Sequence, residues 1–230
     1  MINVILSGAN GHMGKVIASL AENDPDIRIC AGFDINNMPG DGFPVYKNPF
    51  EYTGEADVII DFSSPEGSLA ALNYATRTKT PIVIAATGLS ENDFKAVYAA
   101  AKVVPVVYSE NYSLGVLSFI RAAKTLAAPL SGYDFYIEEI HHSQKKDAPS
   151  GTAKLLKREV ESVIGKNASV FSLRGGDIKG IHSLYVLGKN EMIELKHTAY
   201  SREIFAEGAL RAADRIINKP PKLYSLSDLI

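Results

Sequence analysis

The first half of the chain alternates short, unbroken apolar runs with helical segments. INVILSG, DIRICAGFD, ADVIIDFSS, TPIVIAATG and VPVVYSEN are predicted strands, and most segments between them have apolar residues at three- and four-residue steps. Strands that are apolar on both faces and joined by helices are typical of a parallel sheet covered on both sides. The sequence therefore predicts a doubly wound α/β domain here.

The second half has a different pattern. After a helix (LGVLSFIRAAKTLAAPL), the segment YDFYIEEIHHS alternates like a strand, and a further helix ends at Gly165. Three consecutive strands follow, with a hairpin turn at Lys189-Asn190, and the last helix is REIFAEGALRAADRIINK. We predict an inserted α+β domain with a mixed or antiparallel sheet over residues 112–204. The first domain then comprises residues 1–111 plus 205–230.

Composition argues against several classes of function. The 230 residues carry a net charge of −2 without a Lys/Arg block, so nothing indicates nucleic acid or a membrane surface as a partner. No apolar run is long enough to suggest a membrane span or a signal sequence. A single cysteine, Cys30, excludes an internal disulfide and suggests a reducing compartment. We expect a cytoplasmic globular protein.

The segment SGANGHMG lies between the first predicted strand and the first helix. It has Gly8, Gly11 and Gly14, which allow a tight turn and let backbone N–H groups approach a pyrophosphate at the helix start. The second strand ends at Asp34, about 20 residues on, where a carboxylate can bind the adenosine ribose hydroxyls. This order predicts a Rossmann-type site for a nicotinamide dinucleotide. The alternative is an ordinary tight turn with a surface aspartate.

Two more strand ends belong to the same predicted site, because ligands collect at the carboxyl ends of parallel strands. Small side chains after TPIVIAATG would leave room for a nicotinamide ring, and a polar group ends VPVVYSEN. Since no arginine follows Asp34 to bind a 2′-phosphate, NADH is the predicted preference, with NADPH possible. The residues in question are Ala85, Ala86 and Thr87, and Glu110, Asn111 and Tyr112.

The segment EEIHHSQKKDAPSGTA concentrates titratable groups ahead of a helix. Strand alternation would place His141 and His142 on opposite faces, and no metal-ligand spacing supports zinc, even with His182 and His197. Pro-Ser-Gly-Thr predicts a helix start whose N–H groups bind anions. An imidazole and lysines beside it suggest a small carboxylate substrate reduced by hydride and then protonated. Read alone, one histidine could equally be a core residue.

These residues resemble the signature E-x-H-H-x-x-K-x-D-A-P-S-G-T-A of the 4-hydroxy-tetrahydrodipicolinate reductase family of lysine and diaminopimelate biosynthesis. The resemblance extends along the chain through SGANGHMG, VIIDFSSPEG, AATG, SENYSLGV, RGGDIKGIHSLYVLG and TAYSREIFAEGALRAA. It implies reduction of 4-hydroxy-tetrahydrodipicolinate to tetrahydrodipicolinate with loss of water, without a metal. It also implies a homotetramer assembled through the sheet of the second domain.

The resemblance implies a role for each matching residue. His141 is the proton donor, Lys145 a second donor that also holds the substrate, and Arg174 and Arg202 match family positions in the second domain. The substrate carboxylates would be bound by His142, Gly151 and Thr152. The cofactor would be bound by Gly8, Ala9, Asn10, Gly11, His12, Met13, Asp34, Ala85, Ala86, Thr87, Ser109, Glu110, Asn111 and Tyr112.

The chain departs from the family pattern where many members are basic. His12 stands in the glycine turn and Ser64 follows DFS, where such members carry arginine or lysine, and no basic residue lies beside Asp34. These departures favour NADH. Two other functions stay open: an NAD(H) sensor without turnover, which would not need His141 and Lys145, and another NAD-dependent oxidoreductase of the same architecture.

Overall fold

The structure, a computed structural model, describes residues 1–40 and 42–230. The chain divides into two compact units. Unit 1 comprises Met1–Tyr112 and Phe205–Ile230, and unit 2 comprises Ser113–Ile204. Each is described by itself below.

Unit 1 contains a seven-stranded sheet in which all strand pairs are parallel. The strand order is β11-β6-β5-β4-β1-β2-β3, so the order reverses direction between β4 and β1. The strands are β1 (Ile2–Ser7), β2 (Ile27–Phe33), β3 (Val45–Tyr46), β4 (Val58–Asp61), β5 (Ile82–Ile84), β6 (Val106–Tyr108) and β11 (Leu223–Tyr224). The helices are α1 (His12–Glu22), α2 (Pro65–Thr78), α3 (Glu91–Ala100) and α6 (Glu203–Ile216), the last beginning two residues before unit 1 resumes.

Both faces of this sheet are covered. Successive strand residues point to opposite faces, and the neighbours Ile59 and Ile60 of β4 are both fully buried. The same holds for Ile5 and Leu6 of β1. The predicted doubly wound parallel sheet is confirmed.

Two helices of unit 1 begin directly after a capping serine. Pro65 is the first residue of α2, behind the N-cap Ser64. Before α3, Ser90 and Asp93 form a reciprocal capping box, which satisfies two backbone donors that a helix start otherwise leaves unpaired.

Helix α6 lies against the backbone that leaves unit 1. A Cβ added at Gly208 would lie 1.6 Å from the carbonyl oxygen of Tyr112. Only glycine allows so close an approach between a helix and a neighbouring main chain. Unit 1 is interrupted after Tyr112 and resumes within α6. Tyr112 and α6 are therefore in direct backbone contact.

Unit 2 contains a four-stranded sheet of order β10-β9-β7-β8. The pairs β9–β10 and β7–β9 are antiparallel and β7–β8 is parallel, so the predicted mixed sheet is confirmed. The predicted hairpin turn follows β9, where the N–H of Gly188 donates to the carbonyl of Glu191 (2.9 Å). The elements are α4 (Leu114–Ala127), β7 (Asp134–His141), α5 (Gly151–Ile164), β8 (Ser169–Arg174), β9 (Gly180–Leu187) and β10 (Met192–Ala199).

One face of this sheet is packed against α4 and α5, and the other is open. Along β7 the buried residues alternate, with Phe135 and Ile137 in the apolar core of the unit. The next two residues on this buried face are Glu139 and His141, at the end of the strand. The register of β7 therefore places two titratable side chains beneath the start of α5.

The edge strands β3 and β11 were not predicted. Each has two residues, too few for an alternation or an apolar run to be visible in the sequence. Within the described ranges, none of the helices has the length and apolar character needed to cross a membrane.

Candidate functional site

The glycine turn, residues 8–14, follows β1 at the carboxyl edge of the sheet of unit 1. Gly8 has a φ of +78°, and a Cβ there would lie 2.8 Å from the carbonyl oxygen of Phe62. A Cβ at Gly14 would lie 2.2 Å from the carbonyl oxygen of Gly8. The turn thus requires glycine at both positions for conformation and for space.

The turn leads into α1 with donors available for an anion. The N-cap of α1 is Gly11, which offers no side-chain cap, and the first turn has no acidic residue. Helix N-termini of this kind bind phosphate through backbone N–H groups and the helix dipole. His12 is exposed and Met13 is half-buried at the same end. The residues present therefore fit a pyrophosphate.

Asp34 directly follows β2 and is half-buried beside this turn. Its Oδ2 accepts from the backbone N–H of Asn10 (2.9 Å), and its Oδ1 accepts from that of Asn36 (2.9 Å). The Asn10 side chain also donates to the carbonyl of Met38 (3.0 Å). The predicted ribose acid and the predicted pyrophosphate loop are thus joined by a hydrogen bond.

The remaining predicted cofactor residues follow β5 and β6 at the same edge. Ala86 is buried and Ala85 half-buried, and Thr87 is exposed. After β6, the hydroxyl of Ser109 donates to the carbonyl of Asn111 (2.7 Å). Glu110 is exposed. Unit 1 therefore brings the predicted cofactor residues to one edge of the sheet, where its strand order reverses.

Two buried polar residues support this edge. The Tyr112 side chain is buried, and its hydroxyl donates to the carbonyl of Ile84 (2.8 Å). Asp61 ends β4 fully buried and accepts from the hydroxyls of Ser63 (2.5 Å) and Ser68. Burial raises the pKa of Asp61, against the hydrogen bonds from these serines. Asp61 ends a predicted strand, but a position at a strand end does not show whether a carboxyl is buried or exposed.

In unit 2, His141 lies on a buried carboxylate. Its Nδ1 is 2.5 Å from Oε2 of Glu139, and both residues are on the buried face of β7. Burial lowers the pKa of His141 below 6.5, while Glu139 acts in the opposite direction. The structure thus places the predicted proton donor in a buried hydrogen-bonded pair.

Arg174 completes this pair from the end of β8. Its Nη1 donates to Oε2 of Glu139 (2.8 Å) and its Nη2 to Oε1 (2.7 Å), and Nη2 also donates to the carbonyl of Asp147 (2.6 Å). Burial by itself would raise the pKa of Glu139, but hydrogen bonds from Arg174, Ser172 and His141 lower it to about 2. Glu139 is therefore an anion at neutral pH.

His182 of β9 is a second buried imidazole, and we call Glu139, His141, Arg174 and His182 the His141 cluster. The rings of His141 and His182 are 5.2 Å apart at 74°. Burial and the ring of His141 lower the pKa of His182 to about 3, so it is neutral. Its Nε2 lies 3.0 Å from the Ser150 hydroxyl. Among the described residues, no three His, Cys, Asp or Glu side chains form a metal-ion site.

The start of α5 lies next to the His141 cluster. Ser150 is the N-cap, because its hydroxyl accepts from the N–H of Ala153 (3.2 Å), and its own N–H donates to Glu139 (3.1 Å). Gly151 is exposed, with nothing within 4 Å of an added Cβ. Thr152 follows, half-buried, in the first turn. The predicted anion site is thus an open helix start joined to a buried carboxylate.

The loop between β7 and α5 carries the remaining predicted residues. The Nζ of Lys145 pairs with Oδ1 of Asp147 (2.8 Å), and its backbone N–H donates to the carbonyl of His142 (3.1 Å). His142 is half-buried and its N–H donates to the carbonyl of Ile178 (2.8 Å). These residues lie in unit 2 with the His141 cluster. Arg202 is exposed near the end of this unit.

Sequence reasoning missed Glu139 and gave His182 no role beyond a rejected metal site. A signal for Glu139 was present, because it shares strand parity with Ile137 and His141 and must lie on the same face. The glycine turn of unit 1 offers backbone donors for an anion. The His141 cluster of unit 2 offers a titratable imidazole beside a helix start.

Family models match almost the whole chain. The model described as dihydrodipicolinate reductase, N-terminus, matches residues 2–112, and the model described as dihydrodipicolinate reductase, C-terminus, matches residues 115–230. Curated proteins named 4-hydroxy-tetrahydrodipicolinate reductase are similar over the full chain. The protein from Caldanaerobacter subterraneus subsp. tengcongensis is 41% identical, covering 100% of this chain and 98% of that protein. The one from Rickettsia rickettsii is 39% identical, covering 100% and 99%.

Solved structures share the fold. A dipicolinate-bound dihydrodipicolinate reductase from Paenisporosarcina sp. TG-14 has a TM-score of 0.87 at 22% identity, covering 100% of both chains. GenD2 from gentamicin A biosynthesis, in complex with NAD, has a TM-score of 0.68 at 13% identity, covering 99% of this chain and 90% of that one. This chain therefore shares its fold with a protein whose structure was solved in complex with NAD.

Proposed function

The chain belongs to the dihydrodipicolinate reductase family, and we propose that it reduces 4-hydroxy-tetrahydrodipicolinate to tetrahydrodipicolinate with loss of water. The reaction consumes one hydride and one proton and places the chain in lysine and diaminopimelate biosynthesis. The observation that carries the proposal is the buried imidazole of His141, hydrogen bonded to an ionised carboxylate at the start of α5.

In unit 1, the glycine turn binds the pyrophosphate through backbone N–H groups, and Asp34 binds the adenosine ribose. The turn supports this role because side chains at Gly8 and Gly14 would collide with its own backbone. Ala85 to Thr87 and Ser109 to Tyr112 contact the nicotinamide half. A reduced nicotinamide bound here supplies the hydride.

In unit 2, the start of α5 binds the substrate carboxylates. Gly151 and Thr152 present the helix N–H groups, and His142 contributes a further donor. Lys145 adds a cation, which its pair with Asp147 holds in the same loop. Two carboxylates on a small molecule require this density of donors, and the open space at Gly151 admits one of them.

His141 supplies the proton. Loss of the 4-hydroxyl group as water leaves a conjugated C=N–C=C system. Hydride addition to this system gives an enamine, and its carbon needs an acid close by. Lys145 is the second donor and holds the substrate at this acid. The positive charge of a protonated His141 is stabilised by Glu139, at 2.5 Å.

NADH is the proposed coenzyme in preference to NADPH. Both oxygens of Asp34 accept backbone hydrogen bonds and would repel a 2′-phosphate. Of the residues after it, Ile35 is exposed and uncharged, so no cation offsets this repulsion. A catalytic efficiency with NADPH equal to or above that with NADH would contradict this preference.

We also propose a cytoplasmic homotetramer assembled through the sheet of unit 2. The face of this sheet opposite α4 and α5 exposes large apolar side chains, a feature that marks interaction surfaces. They are Tyr136, Phe171, Leu173 and Met192. Sedimentation of the purified chain as a monomer would contradict the assembly.

The experiment that tests the activity follows NADH oxidation by the purified protein. Dihydrodipicolinate synthase supplies the substrate in the same vessel, because its product is the proposed substrate. We expect NADH consumption that depends on the synthase and on both of its substrates. No consumption by folded protein that binds NADH would contradict the proposed activity and favour a sensor.

A further inference from the structure

Glu139 is a fully buried anion whose lone pairs are all engaged. Its two oxygens accept from Nη1 and Nη2 of Arg174 (2.8 and 2.7 Å), from the Ser150 N–H (3.1 Å) and from Nδ1 of His141 (2.5 Å). A buried carboxylate is costly unless it is paired and hydrogen bonded, as this one is. Together with the hydrogen bond from Ser172, these donors occupy both oxygens of a group that can only accept. The position and the charge of Glu139 are both fixed.

We propose that Glu139 is a positioning residue that holds the proton of neutral His141 on Nδ1 and so assigns proton transfer to Nε2. An ionised carboxylate can only accept, so the nitrogen that faces it must donate. Neutral His141 then has a bare Nε2, and the imidazolium carries its transferable proton there. This inference rests on the proposed function, in which His141 protonates the substrate.

Space at Nε2 supports this assignment. A Cβ added at Gly180 would lie 3.1 Å from Nε2 of His141, so glycine keeps a side chain away from that edge of the ring. His182 is neutral, and its Nε2 lies 3.0 Å from the Ser150 hydroxyl. This nitrogen is therefore engaged by the N-cap of α5.

Titratable groups on four segments face His141, and three of these groups are charged. Glu139 on its own strand is the anion, and the cations are Arg174 on β8 and Lys145 in the loop before α5, while His182 on β9 is neutral. Burial and the two cations lower the pKa of His141, and Glu139 alone raises it. Removing the charge of Glu139 would therefore make the imidazolium harder to form.

The first test compares Glu139→Gln with Glu159→Gln, a matched control. Glu159 pairs with Lys124 (2.7 Å) on the helices of the same unit, away from the His141 cluster. For Glu139→Gln we expect kcat to fall by about 10- to 100-fold, with NADH affinity unchanged. A general acid works only while protonated, so the decline of kcat towards high pH should begin at lower pH in this variant. Glu159→Gln should keep the wild-type rate and profile.

The outcomes separate this inference from the activity on which it rests. If wild-type protein does not reduce the substrate, the proposed function fails. If wild-type protein is active and Glu139→Gln retains its rate and pH profile, the positioning role is wrong. A Glu139→Asp variant that recovers part of the lost rate would support a role for the carboxylate itself.

The second test needs no folded Glu139 variant and no turnover. Nitrogen-15 NMR of the imidazoles in the unmodified protein distinguishes the two neutral tautomers, and His141→Gln assigns the signal. We expect the Nδ1–H form for neutral His141, because an ionised Glu139 can only accept. The Nε2–H form would overturn the inference.

Discussion

The glycine turn is made of backbone, whereas the His141 cluster is made of side chains. In the turn, Gly8 and Gly14 have no room for a Cβ. The proposed pyrophosphate binding depends on backbone N–H groups, which every residue except proline possesses. In the cluster, a carboxylate, a guanidinium and two imidazoles come from three strands. The glycine turn should therefore be sensitive to added side-chain volume, and the His141 cluster should be sensitive to a change of charge. Substitutions can test both expectations.

Removing the imidazole of His141 should have the largest effect. For His141→Gln we expect kcat to fall on the order of 10²–10⁴-fold, the usual contribution of a general acid, with folding and NADH affinity intact. Steady-state NADH oxidation measures the loss, and circular dichroism checks the fold. Full turnover by the folded variant would exclude His141 as the proton donor.

Adding one methyl group to the turn should have the next largest effect. In Gly14→Ala the Cβ would lie 2.2 Å from the carbonyl oxygen of Gly8, so the backbone must move. We expect a loss of about 1–3 kcal/mol of stability. A displacement of about 1 Å at the pyrophosphate can also cost on the order of 100-fold in rate. Urea unfolding and NADH titration measure the two effects, and wild-type values in both would show that the turn tolerates volume.

The charge of Glu139 should appear in the pH dependence of stability. Its folded pKa of about 2 lies below the ordinary 4.5, so the unfolded chain takes up the proton first as the pH falls. The stabilisation is present above pH 4.5 and is lost as the pH falls towards 2; it amounts to about 3 kcal/mol. Urea unfolding between these pH values should show a shallower dependence for Glu139→Gln. Equal slopes would contradict the ion pair.

The smallest effect is expected at Gly151, where the same methyl group meets open space. Gly151→Ala should change the free energy of unfolding by no more than about 1 kcal/mol. If the substrate carboxylate occupies this space, KM for the substrate should rise up to about tenfold while kcat stays near wild type. An unchanged KM would place the carboxylate elsewhere.

Most of the fold could be predicted because its determinants are local. Ser90 and Asp93 stand three residues apart and form a capping box, and the predicted Gly165 ends α5 with a φ of +68°. The glycine turn is likewise readable from seven consecutive residues. The edge strands β3 and β11 are defined only by their pairing with β2 and β6. With two residues each, they have no pattern that could be detected in the sequence.

The His141 cluster could be predicted only in part. His141 stands out as a titratable residue before a helix, but Glu139 and Arg174 are 35 residues apart and meet only through the parallel register of β7 and β8. The residue type alone does not show whether a glutamate is buried or exposed. The pairing that fixes its charge is a tertiary property, which no local pattern specifies.

The close contact between Gly208 and Tyr112 bears on how such a chain can arise. The main chain leaves unit 1 at Tyr112 and returns to it in α6, and these two places are in contact. The ninety-odd residues between them are therefore accommodated without a gap in unit 1. A module can be inserted at such a junction without reorganising the domain that carries it, because the ends that it joins are already adjacent.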